Sequence, residues 1–213
     1  MYNYTVKNIA EAHRKACGAV IQFGETVVTE DGATTLELDE PLAILIDNPF
    51  SGNMVHPNNK LSERALQEYL PEILTAKNTG HVYTYGQRLH EYEMNKTDIV
   101  DQMEIIVNAL RENHSTRRAI AHTWYVGDDN VSKTPPCLQS LQFVWRADVL
   151  NMVAYFRSND MCNAYGANMY GLAHLQQRTA RELETGMGYL QSISMCAHIY
   201  EGDLQTARAI AHG

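Results

Sequence analysis

The chain has 213 residues, about one and a half times a typical domain, which favours one domain over residues 1–213 rather than two small ones. Its 45% hydrophobic and 20% charged residues are ordinary globular proportions and exclude overall disorder. A net charge of -8 excludes a nucleic-acid polymer as the main partner, because such binding rests on counterion release by basic surfaces. It leaves room for a small anion held by a few converging arginines.

No apolar run approaches the roughly 20 residues that span a bilayer, and Met1-Tyr2-Asn3-Tyr4 does not open a secretory signal, so a cytoplasmic protein without membrane contact is expected. Cys17, Cys137, Cys162 and Cys196 form no close pair, which predicts free thiols in a reducing compartment. The same lack of paired spacing argues against a structural metal.

In chain order, Ile9 to Gln22 has helical apolar spacing and is stopped by Gly24. Thr26 to Thr29 and Thr34 to Leu38 flank an Asp-Gly turn and read as a hairpin. Pro41 to Asp47 reads as a strand buried on both faces, and Asn48 to Lys60 as a loop. Ser62 to Leu74 is a helix capped by Ser62 and broken at Pro71. Thr97 is placed as the cap of a helix running to about Arg111. Ala119 to Val126 is a strand, and Gly127 to Thr134 a polar loop. Ser140 to Ala147 and Val149 to Phe156 make a long hairpin turning at Ala147-Asp148. Ala167 to Glu184 is helical, Met187 to Tyr200 contains a last strand, and Leu204 to Ala211 is a short helix. The expected class is α+β, a mostly antiparallel mixed sheet covered by helices.

Several residues can carry chemistry. Cys137 follows two prolines and precedes a strand, so it is rigidly placed, as a nucleophile must be. Arg117-Arg118 sit ahead of a strand, where neighbouring side chains diverge to opposite faces, and guanidinium groups match phosphate. Arg157-Ser158-Asn159-Asp160 offers a cation, a hydroxyl, an amide and a carboxylate at a strand end. Asn168 begins an otherwise apolar helix face, and its amide can pair a donor and an acceptor together, as a pyrimidine edge requires. His198 and Tyr200 alternate on one strand and suit a sugar hydroxyl.

Taken in order, Arg117-Arg118, Pro136-Cys137, Arg157-Ser158-x-Asp160, Asn168 and His198-x-Tyr200 resemble the thymidylate synthase family from about Tyr83 to Tyr200, with the short archaeal-type members and their viral relatives nearest in pattern. The resemblance implies a homodimer formed through the sheet. It also implies one-carbon transfer to C5 of dUMP from 5,10-methylene-tetrahydrofolate or a methylene-tetrahydromethanopterin analogue. Cys137 matches the nucleophile that adds to C6. Arg157 and Ser158 match phosphate ligands, and Arg117 and Arg118 the pair lent to a partner's phosphate. Asp160 matches the aspartate at the nucleotide–pterin junction, Tyr85 the tyrosine assisting proton transfer at C5, and His198 and Tyr200 the ligands of the sugar 3′-hydroxyl. Asn168 matches the reader of uracil O4 and N3, where hydroxymethylases acting on dCMP tend to carry aspartate. Glu68 is the first candidate for the catalytic glutamate, followed by Glu63 and Glu72.

The departures are specific. No arginine lies in Thr29 to Thr35, where the family places an early phosphate ligand, and Arg14 or Lys15 are the substitutes considered. Leu138 stands where a histidine usually follows the nucleophile. Trp124 and Trp145 are the two tryptophans, and few residues follow Tyr200 to close over a cofactor. A lid excludes water from the reactive methylene, so a hydroxymethylase, in which water replaces hydride, is the alternative activity. A catalytically silent nucleotide or RNA binder is the alternative of another class.

Overall fold

The computed structural model describes residues 1–78, 80–95 and 97–213. The elements are β1 (Tyr2–Val6), α1 (Ile9–Phe23), β2 (Glu25–Val28), β3 (Thr34–Glu37), β4 (Leu42–Ile46), α2 (Glu63–Tyr69), α3 (Pro71–Leu74) and α4 (Tyr85–His90). Then come β5 (Tyr92–Glu93), β6 (Ile99–Val100), α5 (Gln102–Glu112), β7 (Ile120–His122), α6 (Val126–Asp129), β8 (Leu138–Arg146), β9 (Val149–Asp160), α7 (Tyr165–Glu182), β10 (Gly186–Tyr200) and α8 (Leu204–His212).

An eight-stranded sheet orders β1-β4-β10-β9-β8-β7, with β3 on the far end of β10 and β2 beside β3. The class is the expected α+β with a mixed sheet. The sheet is mostly antiparallel, and the exception at its centre is β9 and β10, the two longest strands, which run parallel across α7. A parallel pair needs such a crossover, and the long helix between two strands supplies it. The edge strand β1 was not anticipated; it pairs parallel with β4, from Tyr2 opposite Leu42 to Val6 opposite Ile46.

Local signals account for most boundaries. Asn8 caps α1 by accepting from Glu11 N, and Ser62 caps α2 as expected. Pro71 starts a separate helix, α3, because proline suits a first turn but not an interior. The cap at Thr97 is corrected. Asp101 caps α5 through Met103 N and Glu104 N, while Ile99 and Val100 pair in β6. The strand expected over Ala119 to Val126 is limited to Ile120–His122, and the following loop holds the turn α6. Ala147 and Asp148 take φ of 50° and 57°, the left-handed pair that a two-residue hairpin turn requires.

One face of the sheet carries the core. Ala121, Leu141, Ala154, Ser192 and Ile44 follow one another across paired strands and are all buried beneath the helices. On the other face Ile120, Tyr155 and Met195 remain exposed. Segment α8 docks on α1 through buried Ala207 and Ile210. No helix among the described residues is long and apolar enough to cross a membrane.

His13 on α1 is 1% exposed, and its Nε2 has no partner among the described residues. Burial, reinforced by His56, lowers its pKa to about 4. The folded value lies below the unfolded one, so its contribution to stability is complete above pH 6.5 and is lost as pH falls toward 4. About 3 kcal/mol is expected to disappear over that window. Urea midpoints between pH 7 and pH 4 should fall less steeply for His13→Gln than for the unaltered protein.

Candidate active site

Cys137 enters β8 from Pro135-Pro136 and is held from three sides. The amide N–H of Arg157 donates to its carbonyl at 3.0 Å. The Arg157 guanidinium ties down both prolines, donating from Nε to Pro136 O at 2.9 Å and from Nη2 to Pro135 O at 2.8 Å. Behind it, Leu138 N donates to Tyr85 Oη at 3.3 Å, and Thr123 Oγ1 donates to Leu138 O. Burial raises the thiol pKa, Arg157 opposes that shift, and Asp160 adds to it. Arg157 thus favours the thiolate, but desolvation outweighs it.

Arg157 keeps donors to spare, since a guanidinium has five and the two prolines take two. Ser158 Oγ lies 3.4 Å from His198 Nδ1, which is also 3.2 Å from Cys196 O. Parallel register sets His198 beside Asp160, and the His198 and Tyr200 rings meet edge-on at 5.2 Å. Asp160 Oδ1 accepts from Cys162 N and Asn163 N at 2.9 and 3.0 Å, and Oδ2 from Asn163 Nδ2 at 2.8 Å. The carboxylate thus shapes the entry into α7 and retains one lone-pair position. Asn168 Nδ2, on α7, donates to Asn159 Oδ1 at 3.3 Å.

Tyr85 is almost fully buried, which holds its phenol pKa well above the usual value. Its oxygen accepts from Leu138 N, so its proton is available to a neighbour. Tyr83 packs at 6.0 Å from Tyr85, and burial pushes its pKa up to about 12, with Cys137 a further cause. Gly86 is needed here: a Cβ would fall 2.0 Å from Thr75 O and 2.8 Å from Glu72 O. That close approach brings α3 against α4.

The three candidate glutamates differ in their surroundings. Glu68 is largely exposed and pairs with Arg64 at 3.3 Å along the helix surface. The Glu72 side chain is only 14% exposed, lies 3.6 Å from His81 Nε2, and adds to the rise of the Tyr69 phenol pKa, whose main cause is burial. Glu63 lies toward Tyr170 and His174.

Arg117 and Arg118 precede β7 rather than lying in it, so strand alternation does not govern them. Both are exposed, and among the described residues neither guanidinium has a hydrogen bond or ion pair. Arg14 and Lys15 do not replace the absent hairpin arginine. They line a separate cavity of about 500 Å³ with Tyr4, Phe23 and His212. Trp124 is at the site, its ring centroid 5.8 Å from the Arg157 guanidinium carbon, whereas Trp145 stacks on His114 at 3.9 Å.

Sequence reasoning missed Arg88 and Asp129. Arg88, one helical turn after Tyr85, grips Asp129 with two hydrogen bonds of 3.0 and 3.1 Å, and Tyr125 lies beneath it at 3.6 Å. It also donates to Thr123 O at 3.3 Å. Both charged side chains are buried, at 11% and 4% exposed. Asp129→Ala should cost about 3–5 kcal/mol by leaving Arg88 buried and unpaired, and Arg88→Met with Asp129→Leu should restore most of it. Chemical denaturation of the three proteins checks this. The sequence signal was an adjacent aspartate pair, Asp128-Asp129, in a polar loop, which nothing in the sequence ties to Arg88.

The family model described as Thymidylate synthase matches residues 59–211. That stretch contains every residue of the constellation just described. The chain belongs to the thymidylate synthase family. Its relatives extend the likeness beyond the matched region. A Methanosarcina barkeri protein named "Putative thymidylate synthase" is 32% identical over 208 residues, 97% of this chain and 93% of its own. Proteins with the same name from Methanothermobacter marburgensis and Methanocaldococcus jannaschii are 30% and 32% identical, over 98% and 91% of this chain and 97% and 88% of theirs. Members of the thymidylate synthase family are one-carbon methyltransferases with a folate-type donor and a dUMP-type substrate.

The residues fit such a donor. A pterin is a flat, nitrogen-rich ring that calls for aromatic faces and carboxylate acceptors. Tyr83 and Trp124 are half-buried beside Cys137 and Arg157, and Asp160 and Glu72 supply carboxylates.

Proposed function

We propose that this protein is a thymidylate synthase that converts dUMP to dTMP through a covalent adduct of Cys137. The observation that carries the reading is the meeting of Cys137, Arg157, Ser158 and His198 around one strand end, with Asn168 reaching the same end from α7.

The 5′-phosphate is held by Arg157 and Ser158 of one subunit and by Arg117 and Arg118 of a second. The two arginines are exposed and have no side-chain partner among the described residues, which supports lending. So does the apolar sheet face bearing Ile120, Tyr155 and Met195, which a second copy would cover. His198 and Tyr200 hold the 3′-hydroxyl. Asn168 donates to O4 and accepts from N3–H, which selects uracil. Cys137 Sγ bonds to C6, and the electron pair of the C5–C6 double bond moves through C4 onto O4, where the Asn168 amide stabilises it. This makes C5 nucleophilic.

When bound, the pterin supplies a methylene carbon and the hydride that completes a methyl group. Tyr85 assists removal of the C5 proton. Glu72 takes the part first assigned to Glu68, relaying protons to O4 from the tyrosine side. Tyr83 and Trp124 wall the site and limit water, as hydride rather than hydroxyl transfer demands. Tetrahydrofolate and tetrahydromethanopterin carry the same reacting ring and both suit this wall. The cytoplasm, where dUMP and reduced pterins occur, is the matching compartment.

The experiment is incubation with dUMP and methylene-tetrahydrofolate, followed by mass analysis of the nucleotide. A gain of one methyl group supports the proposal. A hydroxymethyl product assigns the protein to the hydroxymethylases. No product with either pterin on dUMP refutes the reading.

A further inference from the structure

Asn159 stands between Ser158 and Asp160 and takes none of the roles given above, yet it is 1% exposed. Its Nδ2 donates to Ser194 Oγ at 3.2 Å, and its Oδ1 accepts from Asn168 Nδ2 at 3.3 Å. Ser194 and Asn168 are buried as well. A buried amide is tolerated where its hydrogen bonds are made, so this chain of three polar groups fixes its members.

The two ends of a side-chain amide differ in chemistry but hardly in shape, and a half-turn exchanges them. For Asn168 that half-turn decides the base. Uracil presents an acceptor at O4 and a donor at N3. Cytosine presents a donor at N4 and an acceptor at N3. An asparagine free to turn over can complement either edge.

We infer that Asn159 is a specificity-determining residue, which locks the Asn168 amide in the orientation that suits uracil by accepting one of its N–H groups. This deepens the functional proposal and rests on its uracil reading. If Asn168 turned over, its oxygen would face the oxygen of Asn159. Relief would require Asn159 and the Ser194 hydroxyl to reverse together inside a buried site. The cost of that joint reversal is added to the rejection of cytosine. Asn159 acts through Asn168 and touches no reacting atom.

The test is the ratio of dissociation constants for dUMP and dCMP, measured by calorimetry on the full chain, with a melting curve for each variant. Phosphate and sugar are common to both ligands, so the ratio isolates the base. Asn159→Ala removes the acceptor and should narrow the preference for dUMP about ten-fold. Asn159→Asp keeps an acceptor and should hold the preference within about three-fold of the unaltered protein. Ser194→Ala loosens Asn159 and should narrow it by a few-fold. A cooperatively melting Asn159→Ala with an unchanged ratio overturns the lock. If that variant does not fold, an unchanged ratio in Ser194→Ala overturns it instead. An unaltered protein that binds dUMP no better than dCMP sinks the uracil reading, and the lock with it, before any substitution is made.

Discussion

Cys137→Ala is expected to lose turnover by about four orders of magnitude while binding dUMP within a few-fold of the unaltered protein. In the proposed mechanism the thiol forms the bond to C6, and alanine offers no replacement for it. In the proposed reading the side chains that hold phosphate, sugar and base come from β9, α7, β10 and the segment before β7, and do not depend on it. Little stability should be lost, because the side chain is half-buried and its loop is fixed through backbone carbonyls that alanine retains. Cys17 and Cys162 make useful controls. Both are buried, the Cys17 thiol donates to Met161 O at 3.2 Å, and burial raises both pKa values. Alanine at either should leave turnover within a few-fold. Steady-state rates with dUMP, beside calorimetric binding, decide the matter. Turnover within ten-fold of normal in Cys137→Ala would remove Cys137 from the mechanism.

The second large effect is expected for Asn168→Asp. A carboxylate at this position accepts hydrogen bonds and donates none, so it repels O4 of uracil and attracts N4–H₂ of cytosine. Two polar contacts change sense, each worth about 1–2 kcal/mol, so kcat/KM for dUMP relative to dCMP should fall by roughly a hundred-fold. At the cost of the joint reversal described above, Asn159 can turn its own NH₂ toward the new carboxylate, with the Ser194 hydroxyl donating in place of accepting, so that every group stays paired. The substitution should therefore fold. Competition assays with both nucleotides in one mixture measure the ratio directly, and an unchanged ratio would refute the role of Asn168.

The candidate site was legible in the sequence to the extent that the chemistry proposed for it is carried by short stretches. Arg157-Ser158-Asn159-Asp160 and Pro136-Cys137 keep their meaning wherever the chain folds, because neighbouring residues stay neighbours. Glutamate on the α2–α3 segment was harder. Glu63 and Glu68 lie on α2 and Glu72 on α3, and the packing of α3 on α4 at Gly86 sets Glu72 apart from the exposed Glu68. The cap of α5 was misplaced for a related reason. Thr97 and Asp101 are both good caps, and the pairing of Ile99 and Val100 with Glu93 and Tyr92 denies the first of them a helix.

By itself the sequence determined the helices with clear apolar spacing, the Ala147-Asp148 turn, and the order of the chemically committed residues, all of which are local properties of the chain. Tertiary structure alone decided the parallel pairing of β9 with β10, the Arg88–Asp129 grip and the Ser194–Asn159–Asn168 chain. Each joins residues that no turn or helical period brings together. A buried charge or amide acquires its partner only when distant elements dock, and the requirement that it be paired there is what fixes the geometry.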